Sequence, residues 1–397
     1  MRRFPLLLLV LILGGLSNNL NAQRYKKLST EPRHFLDSVR VNREVNLIIV
    51  PVVVNGKSYR FLLDTGAPTV ISPRVAKEIG FRGKGTTSVG SSTGQRQSTQ
   101  WGYIPEMALS GVKFRKVTAF VADLGVGFLM QCLAFDGIVG ANLLQAGAWD
   151  FDLQHELIRF SSTMDPLALP QMDTLNFKQS KQRSPYFPIQ IWQDRTRYFL
   201  FDTGFSKYLD ISLPTCRDLE LSGSDLQLSS GLGLTSEGLY GSADTTLYMV
   251  YLPGLIIGRD SLFNVIADVA ADERNKLGVQ YLDDHRMIMD FPAQRAFIRR
   301  ISDSDHEQVW RTFGFEIIMK GESVYVASIW DSGPAQRAGI KKGDRLLRVV
   351  GMDEFPKAPD CSFFFGLVKH LKDSEQVQIE IEQKGWIRLE KINLLPK

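Results

Sequence analysis

Two aspartates stand out by their surroundings: Asp64 lies in Arg60-Phe61-Leu62-Leu63-Asp64-Thr65-Gly66, and Asp202 lies in Tyr198-Phe199-Leu200-Phe201-Asp202-Thr203-Gly204. Each follows an apolar strand and opens an Asp-Thr-Gly loop. Two carboxylates held about 3 Å apart cannot both ionise, because repulsion raises one pKa and leaves the pair sharing a proton. The ionised member is then a base for a bridging water, and the protonated member an acid toward a carbonyl oxygen. That chemistry hydrolyses an amide with no metal and no cofactor. Gly66 and Gly204 permit a tight turn and close backbone approach. Thr65 and Thr203 offer hydroxyls able to bond across an interface and fix the loops.

A chance Asp-Thr-Gly would not carry its surroundings with it, and here both copies do. An alternating strand and turn precede each, Ile48 to Gly56 and Tyr186 to Asp194. Downstream, Gly140 and Gly278 stand at one offset from their aspartates (140 − 64 = 76; 278 − 202 = 76), within Val139-Gly140-Ala141-Asn142-Leu143-Leu144 and Leu277-Gly278-Val279-Gln280-Tyr281-Leu282. Related strands then close each copy, Asp150-Phe151 to Ile158-Arg159 and Asp290-Phe291 to Ile298-Arg299. The repeat therefore spans a whole domain, and two-fold packing of the copies would bring the loops face to face.

Phe61-Leu62-Leu63-Asp64-Thr65-Gly66-Ala67-Pro68-Thr69-Val70-Ile71, with Ile138-Val139-Gly140 behind it, resembles the active-site loop of retropepsin-like aspartic proteases. The resemblance implies a mainly β fold of two closed β-barrel lobes related by pseudo-two-fold symmetry, residues 40–165 and 175–301, with Asp64 and Asp202 as the catalytic dyad. It implies an aspartic-type endopeptidase acting on polypeptide substrates. Cleft-covering hairpins are expected at Gly85 to Gln95, followed by Trp101 and Tyr103, and at Ser229 to Gly241, including Tyr240; their Gly and Ser content suits mobile flaps. The second copy departs from the family pattern at Phe205, Lys207-Tyr208-Leu209 and Lys276-Leu277-Gly278. These departures favour a competing reading, a catalytically silent peptide-binding adaptor. A dyad formed across a homodimer is unnecessary with two copies in one chain, so a monomer is expected.

After the polar stretch Ser302-Asp303-Ser304-Asp305, residues 306–395 resemble a PDZ domain, a β-sandwich with two helices, through Phe313-Gly314-Phe315-Glu316-Ile317, Gly333-Pro334-Ala335-Gln336-Arg337-Ala338-Gly339 and Gly343-Asp344-Arg345-Leu346. That resemblance implies a peptide groove at Gly314, Phe315, Glu316 and Ile317, with backbone N–H groups turned to a C-terminal carboxylate and an open edge for strand addition. Packing against the protease lobes is the alternative role. Phe363-Phe364-Phe365 would line the groove or fill the core.

Composition limits the remaining possibilities. At 397 residues, 44% hydrophobic and 23% charged, the chain holds material for several cores, which excludes general disorder. A net charge of +4 without a basic, aromatic-interleaved block excludes nucleic acid as an expected partner. Arg2 and Arg3 before the apolar run Pro5 to Leu16, and Leu20-Asn21-Ala22-Gln23 after it, read as a signal peptide over 1–22, exporting the protein to a periplasmic or extracellular space with no stable membrane anchor. Cys132, Cys216 and Cys361 are odd in number and lie in separate units, so the expectation is buried thiols rather than a disulfide framework. Gly90-Ser91-Ser92-Thr93-Gly94 fits the serine-hydrolase pattern but lacks the strand and helix that pattern needs. Asp283-Asp284-His285 reads as a solvated turn, and no metal site is expected.

Overall fold

The computed structural model describes residues 28–90, 96–167, 170–191, 195–221, 227–238, 241–270, 274–302, 309–358 and 360–395. The candidate signal peptide and the 91–95 part of the serine-hydrolase-like pattern lie outside the described residues.

The molecule is mainly β. In the first unit, the strand Leu47–Val54 buries every residue but Pro51 and Val53. Asn55 and Gly56, both at positive φ (50° and 76°), turn it into Lys57–Asp64; that pair of left-handed residues matches the twist of a two-residue hairpin. Gly137–Gly140 runs parallel to Lys57–Asp64 and sets Gly140 opposite Asp64. Val70–Ile71 lies antiparallel to Gly137–Gly140 on its other side and parallel to Val112–Val121. The sheet closes on itself through Arg96–Leu109, which pairs with Val112–Val121 and, at Ala108, with Val53.

The second unit repeats this arrangement. Thr196–Asp202 runs parallel to Asn275–Gly278, with Gly278 opposite Asp202. Leu209–Ser212 lies antiparallel to Asn275–Gly278 and parallel to Asp260–Ala270. The shared offset in the sequence is thus a shared parallel pairing of an aspartate-bearing strand with its supporting strand. Between the units runs a six-stranded sheet whose central pair, Ala148–Asp152 and His285–Asp290, takes one strand from each. Inside it, buried Asp150 accepts from Arg159 Nε at 2.8 Å and Arg286 Nε at 2.9 Å, tying the units by charge as well as by backbone.

Residues 309–395 form a third unit around Phe313, Phe315, Ile317, Val326, Phe364 and Leu367. Its strands Phe315–Lys320 and Ser323–Trp330 pair antiparallel, and its helix Cys361–Asp373 starts at Asp360, whose carboxylate accepts the N–H of Phe363 at 2.8 Å. It does not stand apart. Ser323–Trp330 also pairs with Gln227–Gly238 of the second unit, and Leu247 and Met249 of that unit pack on Trp310, Trp330 and Leu395.

The cysteine expectation needs correcting. Cys132 and Cys361, 229 residues apart, form a disulfide with Cα atoms 5.4 Å apart, while Cys216 is buried as a thiol. Assignment to separate units concealed the pairing, because the units are packed together there. Phe128, on the helix Phe128–Leu133, meets Phe364 edge to face with ring centroids 5.4 Å apart, and Phe365 packs against the first unit's apolar cluster. Those contacts align the two helices that carry the cysteines.

Candidate active site

Asp64 and Asp202 end their strands at 0% exposure, with Thr65 and Thr203 equally buried. The threonines clasp the two loops reciprocally. Thr65 Oγ1 donates to the carbonyl oxygen of Phe201 at 2.6 Å and accepts the N–H of Thr203 at 3.0 Å. Thr203 Oγ1 donates to the carbonyl oxygen of Leu63 at 2.7 Å and accepts the N–H of Thr65 at 3.1 Å. Each hydroxyl thus satisfies one donor and one acceptor of the other loop, the complete pairing that buried polar groups require.

The glycines have a steric role. A Cβ on Gly66 would stand 2.6 Å from Cγ of Asp202, and one on Gly204 would stand 2.6 Å from Cγ of Asp64. Only hydrogen fits between each loop and the opposite carboxylate. Within its own loop, Oδ1 of Asp64 accepts N–H groups from Gly66 at 2.7 Å and Ala67 at 3.0 Å, and Oδ1 of Asp202 accepts that of Gly204 at 3.0 Å. Oδ2 of each aspartate is buried and, among the described residues, accepts no hydrogen bond. One oxygen per carboxylate is therefore fixed by backbone and the other left for the partner aspartate, a proton or a substrate.

Burial, followed by the charge of Asp202, pushes the Asp64 carboxyl well above the usual carboxylate range. Burial also raises Asp202, but here the cations Lys276 and Arg274 pull the other way. The two carboxylates thus stand in different charge surroundings.

The residues behind the two loops differ as well. In the first unit Asn142 accepts the N–H of Thr69 at 2.6 Å and donates to the carbonyl oxygen of Thr118 at 2.9 Å, while Thr69 Oγ1 accepts the N–H of Gly140 at 3.2 Å. In the second unit Gln280 donates to the carbonyl oxygen of Ser206 at 3.0 Å, and Phe205 is fully buried. Lys276 Nζ lies 3.4 Å from Asp210 Oδ2 and 5.7 Å from the centroid of the Phe205 ring, and Lys207 pairs with Asp268. A further cross-link, Ser184 Oγ donating to the carbonyl oxygen of Gly66 at 3.1 Å, had no signal in the sequence.

Trp101 and Tyr103 sit on Arg96–Leu109, half-buried, with their rings edge to face at 5.9 Å. Tyr240 lies outside the described residues. Two glycines of its hairpin meet the third unit's backbone at close range. Gly231 and Gly233 oppose Trp330 and Ser328, and a Cβ on Gly231 would stand 2.6 Å from the carbonyl oxygen of Ile329. Ser230 Oγ adds a bond to Asp331 Oδ2 at 2.6 Å.

Gly314, Phe315, Glu316 and Ile317 are not brought to the dyad. The N–H of Gly314 donates to Thr312 Oγ1 at 3.0 Å and so is engaged within its own loop rather than turned to a ligand. Phe315 and Ile317 are part of the third unit's core. Glu316, on the opposite face, accepts from Ser328 Oγ at 3.1 Å and comes under the charge of Lys207, so its side chain belongs to the cluster behind Asp202 rather than to a groove.

The family described as Aspartyl protease matches residues 50–143, a stretch that holds Asp64 and Gly140 and ends before Asp202. That stretch is similar to aspartyl proteases. Among solved structures, the chain is similar to the aspartic proteinase from Irpex lacteus at 13% identity, over 69% of this chain and 100% of that one, with a TM-score of 0.41. No curated protein matches the chain.

Proposed function

We propose that the chain is an exported aspartic-type endopeptidase with Asp64 and Asp202 as its dyad. The observation that carries this reading is the reciprocal threonine clasp, which holds two buried carboxylates with one oxygen of each unengaged. With one proton between them, the ionised aspartate takes a proton from water as the water oxygen bonds to the peptide carbon. The other gives its proton to the carbonyl oxygen. Collapse of the tetrahedral adduct breaks the C–N bond: the leaving nitrogen takes a proton from one aspartate while a hydroxyl of the adduct gives its proton to the other, which restores the singly protonated pair. Thr65, Gly66, Thr203 and Gly204 keep the carboxylates in register.

The departures that favoured a silent adaptor lie behind the loop: Phe205, Lys207 and Lys276 are buried with partners of their own, which supports reading them as support for Asp202. The Cys132–Cys361 disulfide supports an oxidising, exported location. The third unit, read as a PDZ domain over 306–395, recruits polypeptide substrate along Phe315–Lys320; residues 303–308, which include the first three of that range, lie outside the described residues. Peptide-library cleavage by the wild type beside Asp64→Asn tests the activity. Cleavage by the wild type alone supports the reading, and no cleavage by the wild type at any pH between about 3 and 7 returns the adaptor.

A further inference from the structure

The supporting strands of the two units differ at their first residue, Gly137 against Asn275, and at one cross-strand pair that exchanges apolar for charged side chains. Leu62 pairs with Ile138 in the first unit and Leu200 with Lys276 in the second, at one offset from each aspartate (138 − 64 = 74; 276 − 202 = 74). Across the next strand, Ile138 faces Val70, whereas Lys276 faces Asp210. An apolar pair has thus become an ion pair, with Lys276 at 2% and Asp210 at 5% exposure. Replacing hydrophobic contacts by buried charges brings a desolvation penalty that packing alone does not repay. The charge also has an address. Lys276 lies over the ring of Phe205, and the N–H of Phe205 donates to the carbonyl oxygen of Asp202 at 3.1 Å.

We propose that Lys276 is the positioning residue that makes the dyad unequal, its buried ammonium holding the negative charge on Asp202 and so leaving the shared proton on Asp64. This rests on the aspartic-protease reading of the site and adds the assignment of base and acid. The charged groups around the pair are Asp64 opposite, Arg274 just before Asn275–Gly278, Asp210 on the adjoining strand, and Lys207, Asp268 and Glu316 beyond them. Lys207 is taken by Asp268 and comes under Glu316, which leaves Lys276 and Arg274 as the cations acting on Asp202. Burial raises the Asp210 carboxyl to about 6, so in acid it takes up a proton and loses the negative charge that faces Lys276. The influence of Lys276 on Asp202 is therefore greatest where the dyad first ionises.

The test is the acid limb of the kcat/KM profile against pH, read together with carboxyl resonances of the protein labelled with 13C at aspartate Cγ. Lys276→Ile with Asp210→Val installs the first unit's own pair and should move the limb up by about one pH unit. Asp210→Asn alone keeps the ammonium and should leave the limb in place. Should the Ile/Val pair fail to fold, Lys276→Met with Asp210→Asn removes the same charge at nearly constant volume. A folded double variant with an unmoved limb and unmoved dyad resonances overturns the proposal, because a merely structural lysine would lower turnover without shifting either. If the wild type cleaves nothing, the functional reading falls on its own, and the carboxyl titration still decides whether Lys276 sets the charge of Asp202.

Discussion

At the residue scale, the dyad asks the fold to bury two carboxylates, and that has opposite consequences for activity and stability. Asp64→Asn and Asp202→Asn should each lower peptide cleavage by at least about 10³-fold, since an amide is neither the base nor the acid. Cleavage assays beside far-UV circular dichroism check that the fold is kept. In the unfolded chain Asp64 titrates near the ordinary value of about 3.9, but in the folded protein its pKa lies well above it. The folded state binds that proton more tightly, so the stability it contributes is full below the unfolded pKa and is lost as pH rises through the folded one. Asp64→Asn should therefore melt at a higher temperature than the wild type at pH 7, with the gap closing toward pH 4. Thr203→Val strands the N–H of Thr65 and the carbonyl of Leu63 in a dry interface, and should cost about 1–3 kcal/mol for each unsatisfied group, measurable by denaturant unfolding. Asp64, Asp202 and their loop residues were legible in the sequence because the repeat carried its register with it. Lys276 was visible only as a departure, since its meaning lies in Asp210, a residue 66 positions away that only strand pairing sets opposite it.

At the element scale, the two hairpins expected to cover a cleft differ in how they are held. Gly83–Gly90 and Arg96–Leu109 pair with each other, and Arg96–Leu109 continues into its own unit's sheet. Gln227–Gly238 is different, because its outer edge is taken by Ser323–Trp330 over Gly231 to Gly233. A run of Gly and Ser reads equally well as a loop that moves or as a strand that lets another backbone come close. The sequence contains no sign of which, because the deciding partner lies about a hundred residues on. Gly231→Val should force the strands apart at a cost of about 1–3 kcal/mol, the usual penalty for overpacking. Hydrogen exchange should then rise across 227–234 while remaining unchanged in Gly83–Gly90; equal protection in the variant would argue against the docked strand.

At the scale of the whole molecule, the third unit holds both of the others, by a disulfide to the first and a shared sheet to the second. Cutting a covalent loop that spans 229 residues frees a large unfolded ensemble, so Cys132→Ser or Cys361→Ser should lower stability by about 2–4 kcal/mol. Thermal unfolding with and without reductant checks this, with Cys216→Ser as the variant that leaves the reductant effect intact. The domain order was legible from local motifs, whereas the way the units embrace was not, since it depends on Phe128 meeting Phe364 and on Trp330 meeting Leu247.

The threonine clasp joins positions 138 residues apart, and it has a consequence in time. Native contacts so distant along the chain make for high contact order, and chains of that kind fold slowly because loop-closure entropy must be overcome before the pairing rewards it. Synthesis runs from the first aspartate to the second, so a nascent chain carries Asp64 for a long interval with nothing opposite it. A lone carboxylate has no partner to share a proton with and so cannot be acid and base at once. Under the proposed reading, hydrolytic competence therefore waits until the second unit, which carries Asp202, has been made and has packed against the first.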